Sequence, residues 1–210
     1  MSVLGAILAG GRNTRYGDHK ALVEVGGTPI VERVRAALEG VTGRVVLLAN
    51  EPEVYAPLGL PMRPDVRPGL GPLGGIHAAL LWARDDGAEG ALAVACDMPF
   101  VPAPLLRWLV AAADEGSGGA PPDIVVPEST SRRGVEPLCA LYSVRCLAAI
   151  EARADGGDGR MVGFYDDVVV RRLPLERVRE LGDPEVLFMN VNTPAERARA
   201  ELVAAALERA

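Results

Sequence analysis

A glycine turn followed by two cations near the start of the chain suits the binding of a polyphosphate. Val3–Leu8 is an apolar run typical of a buried strand, and Gly10 and Gly11 follow it. Because glycine lacks a Cβ, a ligand can approach this backbone, and the N–H groups of such a loop can form an anion site. Arg15 and Lys20 add two positive charges. A plain connector is the alternative, since the spacing matches neither the dinucleotide fingerprint nor the P-loop.

Polar side chains also follow other apolar runs. Asp97 comes after residues 91–95, where a carboxylate could hold Mg²⁺ together with substrate phosphates, or could simply form a turn before Pro99. Asn50 follows another strand and could bind a base or ribose, or make a turn. Asn192 precedes the last predicted helix, where capping is the stronger local interpretation.

A second glycine-rich segment, residues 69–76, opens a predicted helix. The N–H groups at that helix start could face an anion or a polar ligand, although a tight loop is equally consistent with the pattern. Asp65, shortly upstream, is either a ligand contact or a solvated turn residue. The chain has no G-x-S-x-G motif. The lack of a clear nucleophile favours phosphoryl or nucleotidyl transfer, in which positioning and charge neutralisation provide most of the catalysis.

The elements that must position these residues alternate between strand and helix. Apolar runs predict strands at residues 3–8, 44–49, 91–95, 123–127, 138–142 and 168–173. Helical spacing predicts helices at residues 29–38, 74–82, 104–113 and 143–153, and a last helix opened by Thr193 and Pro194. Such alternation predicts an α/β fold, a mostly parallel sheet with helices on both faces, which binds ligands beyond the carboxyl ends of its strands. The length of 210 residues fits a single domain, residues 1–210.

Composition excludes several classes of function. The net charge of −6 and an aromatic content of 4% argue against a nucleic-acid partner. Three cysteines without a C-x-x-C pair fit buried thiols in a reducing compartment. The sequence shows neither a basic leader nor an apolar run approaching about 18 residues, so we expect a soluble, cytoplasmic protein with no membrane partner.

Five segments, taken in order, give the chain a family resemblance. They are LAGGRNTRYGDHK at residues 8–20, GPLGG at 71–75, CDMP at 96–99, PLCALY at 137–142 and NVNTP at 190–194. Together they resemble the nucleotidyltransferases that attach a nucleotide to molybdopterin, and within that family the molybdenum cofactor guanylyltransferases. Gly11 favours the guanylyl branch over the cytidylyl branch. Tyr16 and His19 stand where the family usually has Met and Asp, and Asp18 lies one position earlier than the usual Asp.

The resemblance implies a three-layer α/β/α, Rossmann-like nucleotidyltransferase fold and a role for each candidate residue. It implies that Leu8, Ala9, Gly10 and Gly11 lie at the nucleotide, that Arg15 and Lys20 bind phosphate, that Asn50 and Asp65 bind guanine nucleotide, and that Asp97 binds Mg²⁺ with Asn192 as a second contact. Arg15, Lys20 and Asp97 would be the catalytic residues. The implied substrates are GTP and molybdenum-molybdopterin, with other molybdenum cofactor biosynthesis proteins and molybdoenzymes as candidate partners. Cytidylyl transfer, a sugar-phosphate acceptor and a non-catalytic nucleotide-binding regulator are the alternatives.

Overall fold

The computed structural model describes residues 1–10, 20–67, 69–114 and 120–209, with the backbone alone at Lys20. The strands are β1 Val3–Leu8, β2 Glu24–Val25, β3 Thr28–Pro29, β4 Val45–Leu48, β5 Met62–Arg63, β6 Gly90–Ala95, β7 Ile124–Pro127, β8 Cys139–Ser143 and β9 Val170–Leu173. The α-helices are α1 Ile30–Glu39, α2 Pro52–Tyr55, α3 Pro72–Asp85, α4 Ala103–Asp114, α5 Leu147–Asp155, α6 Leu175–Arg179, α7 Pro184–Leu187 and α8 Pro194–Leu207.

Seven strands form one sheet in the order β5-β4-β1-β6-β8-β7-β9, and β2 and β3 pair separately. β1 is parallel to both of its neighbours: Leu8 lies opposite Leu48 of β4 and Ala95 of β6. β8 runs antiparallel to β6 and β7, whereas β9 is parallel to β7. The sheet is therefore mostly parallel, as the alternating pattern predicted, with one reversed strand inserted next to β6.

Alternation along the strands builds a separate core on each face of the sheet. Leu4 and Ala6 of β1 face one core, together with buried side chains of α3 and α5. Ile7 faces the other core, which α1, α4 and α8 cover. Because successive strand side chains point to opposite faces, two helical layers can bury a strand that is apolar throughout. This arrangement confirms the three-layer α/β/α prediction.

Local signals explain how the helices at the strand ends begin. α3 begins at Pro72, after Gly71 in a left-handed conformation with φ of +56° that glycine adopts without a Cβ clash. At α8 the Thr193 hydroxyl accepts a hydrogen bond from the backbone N–H of Glu196. Both helix starts lie at the edge of the sheet where β1, β4 and β6 end. The last helix starts where Thr193 and Pro194 predicted, whereas α3 begins at Pro72, two residues before the predicted start at residue 74.

Several boundaries differ from the sequence-based prediction. The helix expected at residues 143–153 is divided into a 3₁₀ turn, Val144–Cys146, and α5, because the Ser143 hydroxyl accepts a bond from the N–H of Arg145. The short strands β2, β3 and β5 and the short helices α2, α6 and α7 were not predicted. Within the described ranges, no helix combines the length and apolarity needed to cross a bilayer.

Candidate active site

The carboxyl ends of β4, β1 and β6 meet at one edge of the sheet. The N–H of Ala9 donates to the carbonyl of Leu48 at 2.9 Å, and the N–H of Cys96 donates to the carbonyl of Leu8 at 3.1 Å. These bonds continue the parallel pairing beyond the last residues of the strands. The residues that follow the three strands, among them Gly10, Asn50 and Asp97, are therefore brought together, as expected for ligand binding in an open α/β sheet.

Asn50 and Asp65 hold each other through two hydrogen bonds. The Nδ2 of Asn50 donates to Oδ2 of Asp65 at 3.0 Å, and the backbone N–H of Asp65 donates to Oδ1 of Asn50 at 2.9 Å. The Asn50 side chain is thus neither a simple turn residue nor fully available to a base. It holds the Asp65 carboxylate through Oδ2, and the second oxygen of that carboxylate, Oδ1, receives no bond from Asn50.

The Asp65 carboxylate lies among three glycines. A Cβ on Gly10 would lie 3.4 Å from Oδ2 of Asp65, one on Gly74 would lie 3.6 Å from its Cγ, and one on Gly75 would lie 3.8 Å from its Oδ1. Oδ1 itself is buried, and among the residues that the structure describes no donor reaches it. A buried acceptor without a donor is costly, so this oxygen fits a ligand that supplies an N–H.

The start of α3 adds electrostatic support at the same place. Gly74 and Gly75 belong to the first turn of this helix, where the backbone N–H groups carry partial positive charge. A carboxylate is stabilised beside such a helix start. The glycine-rich segment that the sequence singled out therefore shapes the surroundings of Asp65.

Asp97 and Asn192 are neighbours although 94 positions separate them in the chain. The carbonyl of Asp97 accepts a hydrogen bond from the N–H of Val191 at 3.0 Å, which places Asn192 beside the end of β6. The N–H of Asn192 donates to Oε2 of Glu196 at 2.7 Å, and this bond anchors Asn192 at the start of α8. The Asp97 side chain is 7% exposed. The backbone therefore brings Asn192 next to Asp97, and their shared metal role stays a prediction.

These two side chains fit a magnesium site in their chemistry. Mg²⁺ takes oxygen ligands and is commonly bound by one or two carboxylates together with substrate phosphates. A carboxylate and an amide oxygen at the strand end match that pattern. Across the described ranges, no group of three or more His, Cys, Asp or Glu side chains could hold a metal ion. Substrate phosphate oxygens and water are the further ligands expected for Mg²⁺ in such a site.

A second carboxylate, which sequence reasoning missed, lies near Asp97. Val94 of β6 is paired with Cys139 of β8, and the N–H of Ala95 donates to the carbonyl of Leu138 at 2.8 Å. Glu136 stands just before the turn into β8, close enough to Asp97 for the two carboxylates to interact electrostatically. Burial raises the pKa of the Glu136 carboxyl above its ordinary value, and the neighbouring Asp97 charge adds to the increase. The PLCALY motif begins one residue later, but no sequence signal revealed that β8 reverses beside β6.

The remaining sequence predictions concern the first loop. Gly11 and Arg15 lie outside the described residues, as do Tyr16, Asp18 and His19. The backbone of Lys20 begins a 3₁₀ turn, Lys20–Leu22, which is followed by the β2–β3 hairpin. The roles of Gly11, Arg15 and Lys20 stay predictions from the sequence.

The order of the strands and the helical layers on both faces match a nucleotidyltransferase Rossmann-like α/β fold. Residues 5–169 match the family model of the MobA-like NTP transferase domain, which covers more than half of the chain. The chain therefore belongs to this family of nucleotidyltransferases.

Individual relatives agree with this membership over nearly the whole chain. The chain is 39% identical over 204 residues to a probable molybdenum cofactor guanylyltransferase of Pelotomaculum thermopropionicum, covering 97% of this chain and 94% of the relative. It is 34% identical to the molybdenum cofactor guanylyltransferase of Desulfosudis oleivorans, with 95% of each chain covered. The crystal structure of molybdopterin-guanine dinucleotide biosynthesis protein A from Archaeoglobus fulgidus superposes with a TM-score of 0.78 at 25% identity, covering 97% of this chain and 99% of that one.

Proposed function

We propose that this protein transfers GMP from GTP to the terminal phosphate of molybdenum-molybdopterin, forming the guanine dinucleotide cofactor and pyrophosphate. The names of its relatives and its family membership support this reaction. The observation that carries the choice of a guanine nucleotide is the buried Oδ1 of Asp65, an acceptor set in a glycine-lined recess. Guanine presents ring N–H and amino donors on one edge, which such an acceptor can bind.

Asn50 and the three glycines prepare the recess for the base. The Nδ2 of Asn50 donates to the Asp65 carboxylate and its Oδ1 accepts from the Asp65 backbone, so little side-chain entropy remains to be lost when the nucleotide binds. Gly10, Gly74 and Gly75 leave open the volume that Cβ atoms would fill around the carboxylate. Backbone groups of Leu8, Ala9 and Gly11 would complete the nucleotide site.

The phosphates would then extend from this recess toward Asp97. An oxygen of the acceptor phosphate attacks the α-phosphorus of GTP in line, and the bond from the α-phosphorus to the bridging oxygen of the β-phosphate breaks. Pyrophosphate carries away the electron pair, and no covalent enzyme intermediate is required. Arg15 and Lys20 would offset the charge that develops on the phosphate oxygens.

Asp97 and Asn192 would hold Mg²⁺ through a carboxylate and an amide oxygen. When bound, this ion supplies charge neutralisation and orientation of phosphate oxygens. The burial of Asp97 and its main-chain bond to Val191 keep the ligand pair at a fixed position at the end of β6. Residues held in place in this way can position the reacting phosphates accurately.

We further infer that residues 1–210 act as a single cytoplasmic domain, with no nucleic-acid or membrane partner. The seven strands of the main sheet, from β5 to β9 in the order given above, form one continuous hydrogen-bonded sheet, which supports a single domain. Cys96, Cys139 and Cys146 are all buried and none forms a disulfide, which suits a reducing compartment. Contacts with other cofactor biosynthesis proteins or with molybdoenzymes belong to the same proposal.

Nucleotide turnover with the purified protein tests this function. Molybdenum-loaded molybdopterin and Mg²⁺ are mixed with GTP, CTP or ATP in turn, and pyrophosphate release and the dinucleotide product are measured. We expect GTP to exceed CTP by about a hundredfold or more in kcat/KM, the level reached when buried polar groups must be matched. A preference for CTP would refute guanylyl transfer. Nucleotide binding without pyrophosphate release in any combination would instead support a regulator.

A further inference from the structure

Two tyrosine hydroxyls meet in the interior beside β8. The hydroxyl of Tyr142 donates to the carbonyl of Pro137 at 2.8 Å and lies 2.9 Å from the hydroxyl of Tyr165. A hydroxyl has a single proton, so Tyr165 must be the donor in the bond between the two tyrosines. Burial raises the pKa of both phenols well above the ordinary value, which keeps both protons in place.

One end of this hydrogen-bonded chain reaches the Asp97 side of the site. Pro137 lies between Glu136, whose carboxylate interacts electrostatically with Asp97, and Leu138, whose carbonyl accepts the N–H of Ala95 at 2.8 Å. The N–H of Cys139 also donates to the carbonyl of Glu136 at 3.1 Å. Residues 136–138 therefore form a wall next to the end of β6, and the Tyr142 hydroxyl fixes the middle carbonyl of that wall.

The other end reaches the loop that faces the start of α3. Tyr165 begins the 3₁₀ turn Tyr165–Asp167 and packs edge-on against the fully buried ring of Phe164. The preceding loop contains Gly159, at which a Cβ would lie 3.7 Å from the Leu70 side chain. Leu70 lies just before α3, near Arg67, which forms an ion pair with Asp155 at 2.5 Å. The tyrosine pair thus links residues 136–138 to the segment of residues 159–165, which lies beside Leu70 at Gly159.

We propose that the Tyr142–Tyr165 hydroxyl pair positions residues 136–138 relative to Asp97 and thereby sets the geometry of the reacting side of the site. This inference rests on the proposed function, because it takes Asp97 as part of the reacting centre. Both tyrosines are positioning residues, since they act through Pro137. The guanine recess at Gly10, Asn50 and Asp65 lies on the other side of β6, across β1 and β4.

Because the tyrosine pair and the guanine recess lie on opposite sides of β6, changes at the tyrosines should lower kcat with little effect on the KM for GTP. Tyr165→Phe removes the outer donor and should lower kcat about three- to tenfold, the range expected from one lost buried hydrogen bond. The KM for GTP should change less than about twofold, because the base recess is not touched. Tyr142→Phe should lower kcat at least as much, because it also removes the donor to the carbonyl of Pro137.

Coupling between the variants distinguishes positioning from general stability. Because Tyr165 acts through Tyr142, the double variant should have the same kcat as Tyr142→Phe alone. Thr42→Val is the matched control: it removes a buried hydroxyl bonded to the carbonyls of Leu38 and Arg44, at the opposite end of the sheet. We expect this control to lower the melting temperature while keeping the wild-type kcat.

Three results would overturn the inference: wild-type kcat in Tyr165→Phe, additive losses in the double variant, or an equal kcat loss in Thr42→Val. If Tyr142→Phe does not fold, Tyr165→Phe still decides the question, because it leaves the Tyr142–Pro137 bond intact. Asp97→Asn, assayed alongside, separates this inference from the proposed function. Wild-type turnover in Asp97→Asn would refute the site itself, whereas an inactive Asp97→Asn with unaffected tyrosine variants would refute only the positioning role.

Discussion

Replacing Asp65 by Asn tests the base recess with almost no change in shape. The carbonyl oxygen of the new amide can accept the bond that Nδ2 of Asn50 now donates to Oδ2 of Asp65 at 3.0 Å. The amide NH₂ then occupies the position of Oδ1, so the recess presents a donor where it presented an acceptor. The second bond of the pair uses the backbone N–H of residue 65, at 2.9 Å, and is retained.

The size of the effect follows from this exchange. A lost hydrogen bond to a charged acceptor costs about 1.5–3 kcal/mol, and a donor left facing a donor adds a further penalty. We therefore expect GTP binding to weaken by about 2–4 kcal/mol, which is about 30- to 1,000-fold in Kd. The fold should lose about 1 kcal/mol or less, a fall in Tm of about 2–4 °C, because both bonds to Asn50 persist.

Titration calorimetry with GTP, and with XTP, measures this directly. Xanthine carries a carbonyl where guanine carries its amino group, so the donor in Asp65→Asn should favour XTP over GTP relative to the wild type. Asp85→Asn is the matched control, since that aspartate pairs with Arg63 on the surface and loses the same charge. A GTP affinity within about threefold of wild type would contradict base reading by Asp65, because a buried charged bond is worth more than that. Equal loss of GTP and XTP would indicate damage to the recess instead.

Three further predictions address the phosphate side and the interior. Asp97→Asn should keep the fold and lose nearly all turnover, because an amide binds Mg²⁺ less well than a carboxylate; a wild-type rate in Mg²⁺ would refute the metal role. Lys20 is the only lysine in the sequence. Lys20→Ala should cost about 2–4 kcal/mol of transition-state stabilisation, measured through kcat/KM, and a fall in kcat/KM below about threefold would contradict its role. Burial raises the pKa of the Cys146 thiol to about 12 and raises the pKa of the Cys139 thiol even higher. A thiol reagent should therefore label the native protein very slowly at pH 8. Unfolding should expose all three thiols to the reagent, and rapid stoichiometric labelling of the native protein would contradict their burial.

The sequence alone determined the parts of the fold that local patterns encode. The apolar runs of β1, β4 and β6 are long enough to predict buried strands, and Thr193 with Pro194 marked the start of the last helix. It also placed polar residues directly after strands, and the parallel pairing of β4, β1 and β6 brought those ends together. The two-residue strands β2, β3 and β5 were missed, because two residues carry no periodicity.

The tertiary structure alone decided which of these residues interact. Asn50 and Asp65 pair because β5 lies beside β4, and Asn192 reaches Asp97 because the backbone of Val191 bonds to the end of β6. Glu136 lies near Asp97 because β8 lies antiparallel to β6, between β6 and β7. Strand pairing uses backbone groups that every residue carries, so strand order and direction leave no local signature in the side chains. The sequence supplied the chemical groups of the site, and long-range backbone pairing determined their arrangement.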